Sequence, residues 1–546
     1  MSNRIYNILF HTHTVSSIVI SVALYVIFFA GSFSFFRDEI INWERNQSVD
    51  RVDEMSLDFD LAIDSIQSRY ALYGRSVTIS QPHAERRVNV RLSGTKDTLA
   101  VEEAKAARFF YVDTKTYEIT DYESSYTLGE FLYRLHFFAQ IPYPVGYYLS
   151  GFVAFFFLFA IITGVLIHWR KIISSFYVFR PWAKLKTIWT DAHTALGLIG
   201  LPFQLVYAVT GTFFMIKLLL LAPVVSLLYD GDKGQLYQEL GHTHPSPTLS
   251  SQKLTPATDI NWFVADANRI WPDFNTTRVH IDNYGDGNMQ VRVEGEASTE
   301  NKLLSHGHVT YLASTKAVLS KKDPLETVYL DTVKSALNSL HFADYAGLSL
   351  RLVSFVLGII TCFVILSGVM IWLTARDKKK YEGRKKFNTN VGAIYLGACL
   401  GLYPAVALFF CLVKVVPAGL EGRFPLMGNV FFVFWLAYIV YAYVIKDFGR
   451  INKHALVLAG GMGVLIPILN GIQTNQWFWR SLPSGHRDSF FVDVLWLVLS
   501  AIALVVAFKT KAKAGQQESV PNGRKKTIAD KTVMRKTLGE RPVLMD

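Results

Sequence analysis

The chain has 546 residues, 51% of them hydrophobic, with a formal net charge of +11. Its mean hydropathy of +0.24 excludes an ordinary soluble enzyme, and several runs exceed the roughly 18 apolar residues that mark a membrane span. The basic excess does not indicate a nucleic-acid partner. It collects in short connectors and the tail, whereas loops 37–130 and 217–345 carry Asp and Glu over Lys and Arg by 18 to 12 and 15 to 11, the positive-inside pattern of a protein whose partner is the lipid bilayer.

In chain order, residues 1–36 hold a first span, whose apolar run at 15–36 is too long for a signal-peptide core and is expected to be retained. Residues 37–130 form a first soluble insert, with a helical pattern at 57–73, strand-like 76–80 and 87–92, and a hairpin pattern at 107–119. Residues 131–216 carry spans 2 and 3, and 217–345 form a second insert that echoes the first, helical at 257–271, strand-like at 277–281 and 289–293, and ending at 308–319 in a stretch that resembles the first insert's hairpin. Residues 346–376 hold span 4, and 377–508 hold spans 5 to 8. Residues 509–546 are a basic tail without a folding pattern. The expected fold is an all-α polytopic membrane protein of about eight spans, a parallel duplicated two-helix unit plus four extra C-terminal helices, with two small α+β inserts.

The duplication is visible in the histidines. His13 and His193 are 180 residues apart, and each is followed 18 residues later by a glycine, Gly31 in Ala30-Gly31 and Gly211 in Thr210-Gly211. Leu135-His136 and Leu340-His341 precede Thr163-Gly164 and Ser367-Gly368 at offsets of 205 and 204 between copies. With both units running in one direction, a pseudo-two-fold axis along the membrane normal places His13 level with His193, and His136 level with His341.

An imidazole facing hydrocarbon needs a partner. Two that face each other across an axis can hold the axial positions of a haem iron. Haem suits the pairs better than zinc or copper, because no Cys, Asp or Glu lies at the same depth. The bland alternative is interfacial histidines beside helix-packing glycines. His11 and His168 are secondary ligand candidates: His11 faces away from His13 on a helix, and the repeat counterpart of His168 is Trp372. His454 and His486 lack matching histidines, and His242, His244, His306 and His308 belong to the second insert. Lys414 and Arg423 read as interface anchors. Cys362, Cys399 and Cys411 all fall inside spans, which excludes a Cys-x-x-Cys-His haem attachment, an iron–sulfur site and loop disulfides. No nucleotide-binding or flavin-binding glycine motif occurs.

Leu135-His136, Leu340-His341, the His193-to-Gly211 span and the Tyr111-Val-Asp-Thr-Lys115 hairpin together resemble the bacterial PepSY-associated transmembrane-helix family, over roughly 5–376. That family includes inner-membrane ferric-siderophore reductases. The resemblance implies four core helices, two b-type haems, periplasmic PepSY-like inserts, and His13, His136, His193 and His341 as haem-iron ligands. It says nothing of 377–546.

The expected function is transmembrane electron transfer through two b haems that reduces a periplasmic ferric siderophore or other ferric chelate, a haem-dependent oxidoreductase activity. Electrons would come from quinol or a cytoplasmic reductase. The alternatives are a non-redox PepSY-type binding or regulatory protein, and a metal or siderophore permease. Localisation is expected in a bacterial inner membrane, with both termini cytoplasmic and both inserts periplasmic. Reporter fusions placed after Lys380 and after Lys513 should therefore read cytoplasmic, and a periplasmic signal at either position would overturn the span count.

Overall fold

The computed structural model describes residues 2–49, 55–180, 182–239, 247–254, 259–272, 274–297, 306–326, 329–376 and 383–509. The expected basic tail lies almost wholly outside the described residues. Helix α1 (Asn3–Ser34) is followed by the short α2 (Arg37–Arg45). The first insert contains α3 (Phe59–Arg69), β1 (Val77–Ser80), β2 (Arg87–Leu92), α4 (Glu102–Lys105), β3 (Arg108–Asp113) and β4 (Ile119–Asp121). Then come α5 (Leu128–His136), α6 (Val145–His168), α7 (Ile172–Tyr177), α8 (Leu185–Ile199), α9 (Leu201–Leu228) and α10 (Lys233–Glu239). The second insert contains α11 (Ile260–Ile270), β5 (Phe274–Asp282), β6 (Gln290–Ala297), β7 (His306–Leu312) and β8 (Ala317–Lys322). The chain continues through α12 (Tyr329–Phe342), α13 (Gly347–Arg376), α14 (Lys385–Val415), α15 (Arg423–Ile445), α16 (Phe448–Thr474), α17 (Phe478–Ser481) and α18 (Arg487–Lys509).

Among the described residues seven helices are long and apolar enough to cross a membrane, and α8 with α9 makes an eighth span bent by 69°. The protein is a multi-pass membrane protein. Its lipid-facing surface is legible on α15, where Val433, Leu436, Val440 and Val444 are all exposed at three- and four-residue spacing.

The third expected span, which holds His193 to Gly211, is thus bent and not straight. Gly200 ends α8, and Pro202 sits in the first turn of α9, where its missing N–H breaks the hydrogen-bond ladder. The equivalent point in α1 is Ile20, and α1 runs through unbroken. A second difference concerns the ends of the inserts. Residues 37–45 form α2, packed on α5 and α18, while residues 217–228 continue α9 beyond a non-helical Ile216. Neither stretch joins the α+β layer.

The strands expected in each insert form, but the two inserts are not separate. They share one eight-stranded antiparallel sheet of order β4-β3-β2-β1-β5-β6-β7-β8. The seam pairs β1 with β5 in the register Val77↔Ile281, Thr78↔His280 and Ile79↔Val279. Val77-Thr78-Ile79 and Val279-His280-Ile281 are the same segment in the two copies, so equivalent residues Thr78 and His280 meet at the centre. A two-fold axis through that point relates the halves. Above the seam the two insert helices cap one another. Asp60 accepts from the backbone N–H groups of Ile260 at 2.7 Å and Asn261 at 3.2 Å, and Asn261 Oδ1 accepts from Phe59 N–H at 2.9 Å. Each helix thereby satisfies amide groups that the other leaves open. Asp60→Ala should cost about 1 kcal/mol through the lost cap, seen as a lowered melting temperature of the detergent-purified protein.

Candidate functional site

Four of the six candidate histidines come together as two facing pairs. The His13 and His193 rings have centroids 6.3 Å apart, and those of His136 and His341 are 6.1 Å apart. His13 and Gly31 are 18 residues apart on α1, about 27 Å at 1.5 Å per residue. The pairs thus stand near opposite ends of a layer about 30 Å thick. His136 and His341 lie on the side of the sheet.

The glycine pairs serve the histidines crosswise. His13 on α1 docks at Thr163-Gly164 of α6, with Nδ1 2.9 Å from Ala160 O. His136 at the end of α5 docks back on Ala30-Gly31 of α1, with Nδ1 2.7 Å from Ile27 O. The second copy repeats the first contact: His193 Nδ1 lies 2.9 Å from Val364 O and 3.2 Å from Ser367 Oγ, beside Gly368. At these three docks the accepting carbonyl precedes the glycine by four residues, one turn below it. Without a Cβ the helix has a notch, and the ring edge reaches the backbone oxygen. A Cβ on Gly31 would stand 2.5 Å from His136 Nδ1, closer than atoms tolerate. The fourth dock varies the theme. His341 Nδ1 lies 2.8 Å from Thr210 Oγ1, whose own hydrogen goes to Val206 O at 2.7 Å, so the threonine oxygen accepts from the imidazole.

These contacts set the tautomer. A proton held on Nδ1 by an acceptor leaves the Nε2 lone pair free, the arrangement that metal-binding imidazoles use. Burial holds His136 below the ordinary histidine value. It drives His341 down to about 3, with His136 adding a smaller effect, so both rings are neutral at pH 7.

The spacing also fits a shared metal. Two bonds of about 2 Å from one ion to facing imidazoles, plus the two ring radii, give a centroid separation of about 6 Å. Among the described residues no group of three His, Cys, Asp or Glu could hold a metal. Each pair would offer a metal two imidazoles, a set that would suit a macrocycle-bound iron better than tetrahedral zinc.

The sheet-side pair opens into a cavity of about 940 Å³. Its walls are aromatic: Phe28 meets Phe157 at 5.3 Å, Phe203 meets Tyr207 at 4.3 Å, and His341 touches Tyr207 and Phe214 at 5.2 and 5.1 Å. Its mouth is polar, with Arg37, Asp38, His83 and Arg351. His83 Nδ1 is 3.3 Å from Asp38 Oδ1. Arg37, almost buried, bonds Asp38, Glu85 at 2.7 Å and Glu130 at 3.0 Å, joining α2, the β1–β2 loop and α5. Arg351 pairs with Glu39 at 2.8 Å.

The secondary candidates fall outside the pairs. His11 is exposed, its ring 6.0 Å from that of Phe10. His168, the last residue of α6, is not one of the four paired rings. The sequence reading missed Tyr207, Phe214 and the Asp38–His83 pair, which tertiary structure alone assembles. The one available signal was the charge run Arg37-Asp38-Glu39 directly after an apolar span.

Comparison with known proteins agrees with this architecture. Residues 10–375 match the family described as the PepSY-associated TM region, a stretch that holds both histidine pairs and both inserts. A Pseudomonas aeruginosa protein, described only as uncharacterized, is 26% identical over 293 residues, covering 50% of this chain and 70% of its own length. The matched region covers well over half of the sequence, and the chain belongs to the PepSY-associated transmembrane family.

Proposed function

We propose that the protein carries electrons across a bacterial inner membrane through two b-type haems and delivers them to a ferric chelate, such as a ferric siderophore, on the sheet side, with both inserts in the periplasm and both termini in the cytoplasm. One observation carries the reading: two imidazole pairs face each other at opposite ends of one helical core, each ring tied off at Nδ1. A binding protein without redox chemistry would leave four imidazoles, paired at two depths of the helical core, without a use. A permease reading draws no support from Asp493, the buried carboxylate of α18. Its two oxygens are occupied by Trp43 Nε1 at 2.9 Å and Asn470 Nδ2 at 3.0 Å.

Bound at each pair, haem would supply a one-electron iron centre. The chain's residues do the rest. His13 with His193, and His136 with His341, fix the two centres, while the backbone and threonine acceptors hold each ring's tautomer. The aromatic walls exclude water from the sheet-side cavity, and its polar mouth gives a soluble acceptor a place to approach. Quinol, oxidised on the other side, gives two electrons and two protons, enough for two ferric ions; a cytoplasmic reductase is the other donor class. Reduction to Fe(II) weakens the hold of hard oxygen ligands, so the metal leaves and the chelator stays intact.

The purified protein should contain two haems, read from oxidised and dithionite-reduced spectra. His136→Ala should retain one, and Gly31→Val should act like His136→Ala because it fills the notch. Four single histidine variants with undiminished haem would sink the ligand assignment. Anaerobically reduced protein mixed with ferric siderophores should be reoxidised and release Fe(II) to a chelator, and His341→Ala should abolish both. Haem that stays reduced with every ferric chelate would leave the acceptor elsewhere.

A further inference from the structure

The family match ends at residue 375, and the four spans beyond it have no assigned role. They touch the core through few elements: α14 packs on α1, α13 and α5, and α18 packs on α2. The contact with α2 is built from buried charge. The last carbonyls of any helix lack partners within it. At the end of α2 they are met by Lys414 of α14, 5% exposed. Its Nζ donates to Trp43 O at 2.7 Å and stands 4.0 Å over the Trp43 ring. A cation there caps the helix and complements its dipole. The Trp43 indole is tied to Asp493, and Asn42 donates to Asp488 at 2.8 Å.

The next residue passes the constraint on. Glu44 accepts from Arg423 of α15 at 3.0 Å through one oxygen, and from the backbone N–H of Leu128 at 2.7 Å through the other. Leu128 is the first residue of α5 and His136 the last. Two caps in series therefore run from the C-terminal helices to a histidine of the sheet-side pair. Lys414 is a buried tie and Arg423 a half-buried one, not the interface anchors expected from sequence.

The other repeat shows that this is not a general need of the unit. Residues 217–228 occupy the place of α2, shifted by 180, and Ile216 breaks the helix where Phe36 does. That stretch is apolar, with Leu219, Leu220, Leu227 and Leu228 all exposed, a surface suited to lipid. Helix α2 carries Asp38, Glu39 and Glu44 and could not face hydrocarbon uncovered.

We infer that the four C-terminal helices are a clamp that positions His136, with Lys414 and Glu44 as its positioning residues; this rests on His136 being a haem ligand. In the full-length haem-loaded protein, Lys414→Met should weaken retention of the sheet-side haem about tenfold or more, the scale of a lost supporting contact. Its reduced-minus-oxidised spectrum should approach that of His136→Ala, while the His13–His193 signature holds and the variant stays folded. Lys414→Arg should restore the wild-type spectrum. If Lys414→Met does not accumulate, Glu44→Ala carries the test, since it deletes the cap on Leu128 and spares Lys414. Two haems unchanged in a folded variant, or equal loss from both pairs, would overturn the clamp alone. Wild-type protein without haem would overturn the haem reading, and the clamp with it.

Discussion

The contact on which the rest depends is an imidazole pressed into a notch in a neighbouring helix. Histidine inside a membrane is costly unless both ring nitrogens are used, and the notch uses one of them. A helix carbonyl is normally shielded by the side chain one turn above it. Glycine removes that shield, so the oxygen already bonded within its own helix can accept a second hydrogen bond from outside. The contact also fixes distance. A ring whose Nδ1 lies 2.7 Å from a backbone oxygen has little freedom to drift, and its centroid stands 6.1 Å from that of the ring across from it. Packing and chemistry are here the same constraint, because the small residue that lets the helices approach also selects the tautomer.

Duplication explains how such a contact recurs, unchanged at His193 and with a threonine oxygen in place of the carbonyl at His341, and the seam shows where symmetry was kept. Thr78 and His280 pair at the centre of β1 and β5, with Thr78 Oγ1 2.7 Å from His280 Nδ1. The insert helices exchange caps through Asp60 and Asn261. These are self-complementary contacts of the kind a two-fold axis demands. Symmetry was abandoned where the surroundings differ. One copy of the short helix after the first span of each unit is polar and covered by protein, and the other is apolar and exposed. The bend at Gly200 is a second departure, and it leaves His193 docked as His13 is.

The membrane spans, the histidine pairs and most strands were legible in the sequence, because each rests on local periodicity or on repeat spacing that survives without tertiary context. Arg87–Leu92 matches its expected bounds for that reason. The joining of the inserts was not legible. Nothing local in Val77–Ser80 says that its second edge is covered by a strand some 200 residues away, so each insert reads as a complete unit. The crosswise docking was hidden too. Sequence shows a glycine 18 residues after His13 in the same span, but the ring that fills that notch belongs to His136. Charged residues near span ends misled in the other direction. Lys414 and Arg423 read as snorkelling anchors, since only the fold reveals α2 folded back against them.

The position of the sheet follows from the same local rules. The chain leaves β4 and β8 directly into α5 and α12, and each helix ends at or next to its histidine. Helix α5, nine residues long, is too short to be stable alone, so its orientation is set by what grips its start. Thr127 and Glu44 meet its first amides, and Arg37 holds Glu130 in its first turn. Arg37 also holds Glu85 in the β1–β2 loop, which borders the cavity mouth through Pro82, His83 and Ala84. Removing one partner from such a buried ion cluster typically costs about 3–5 kcal/mol. The loop that lines the cavity and the helix that carries His136 are thereby fastened to one guanidinium.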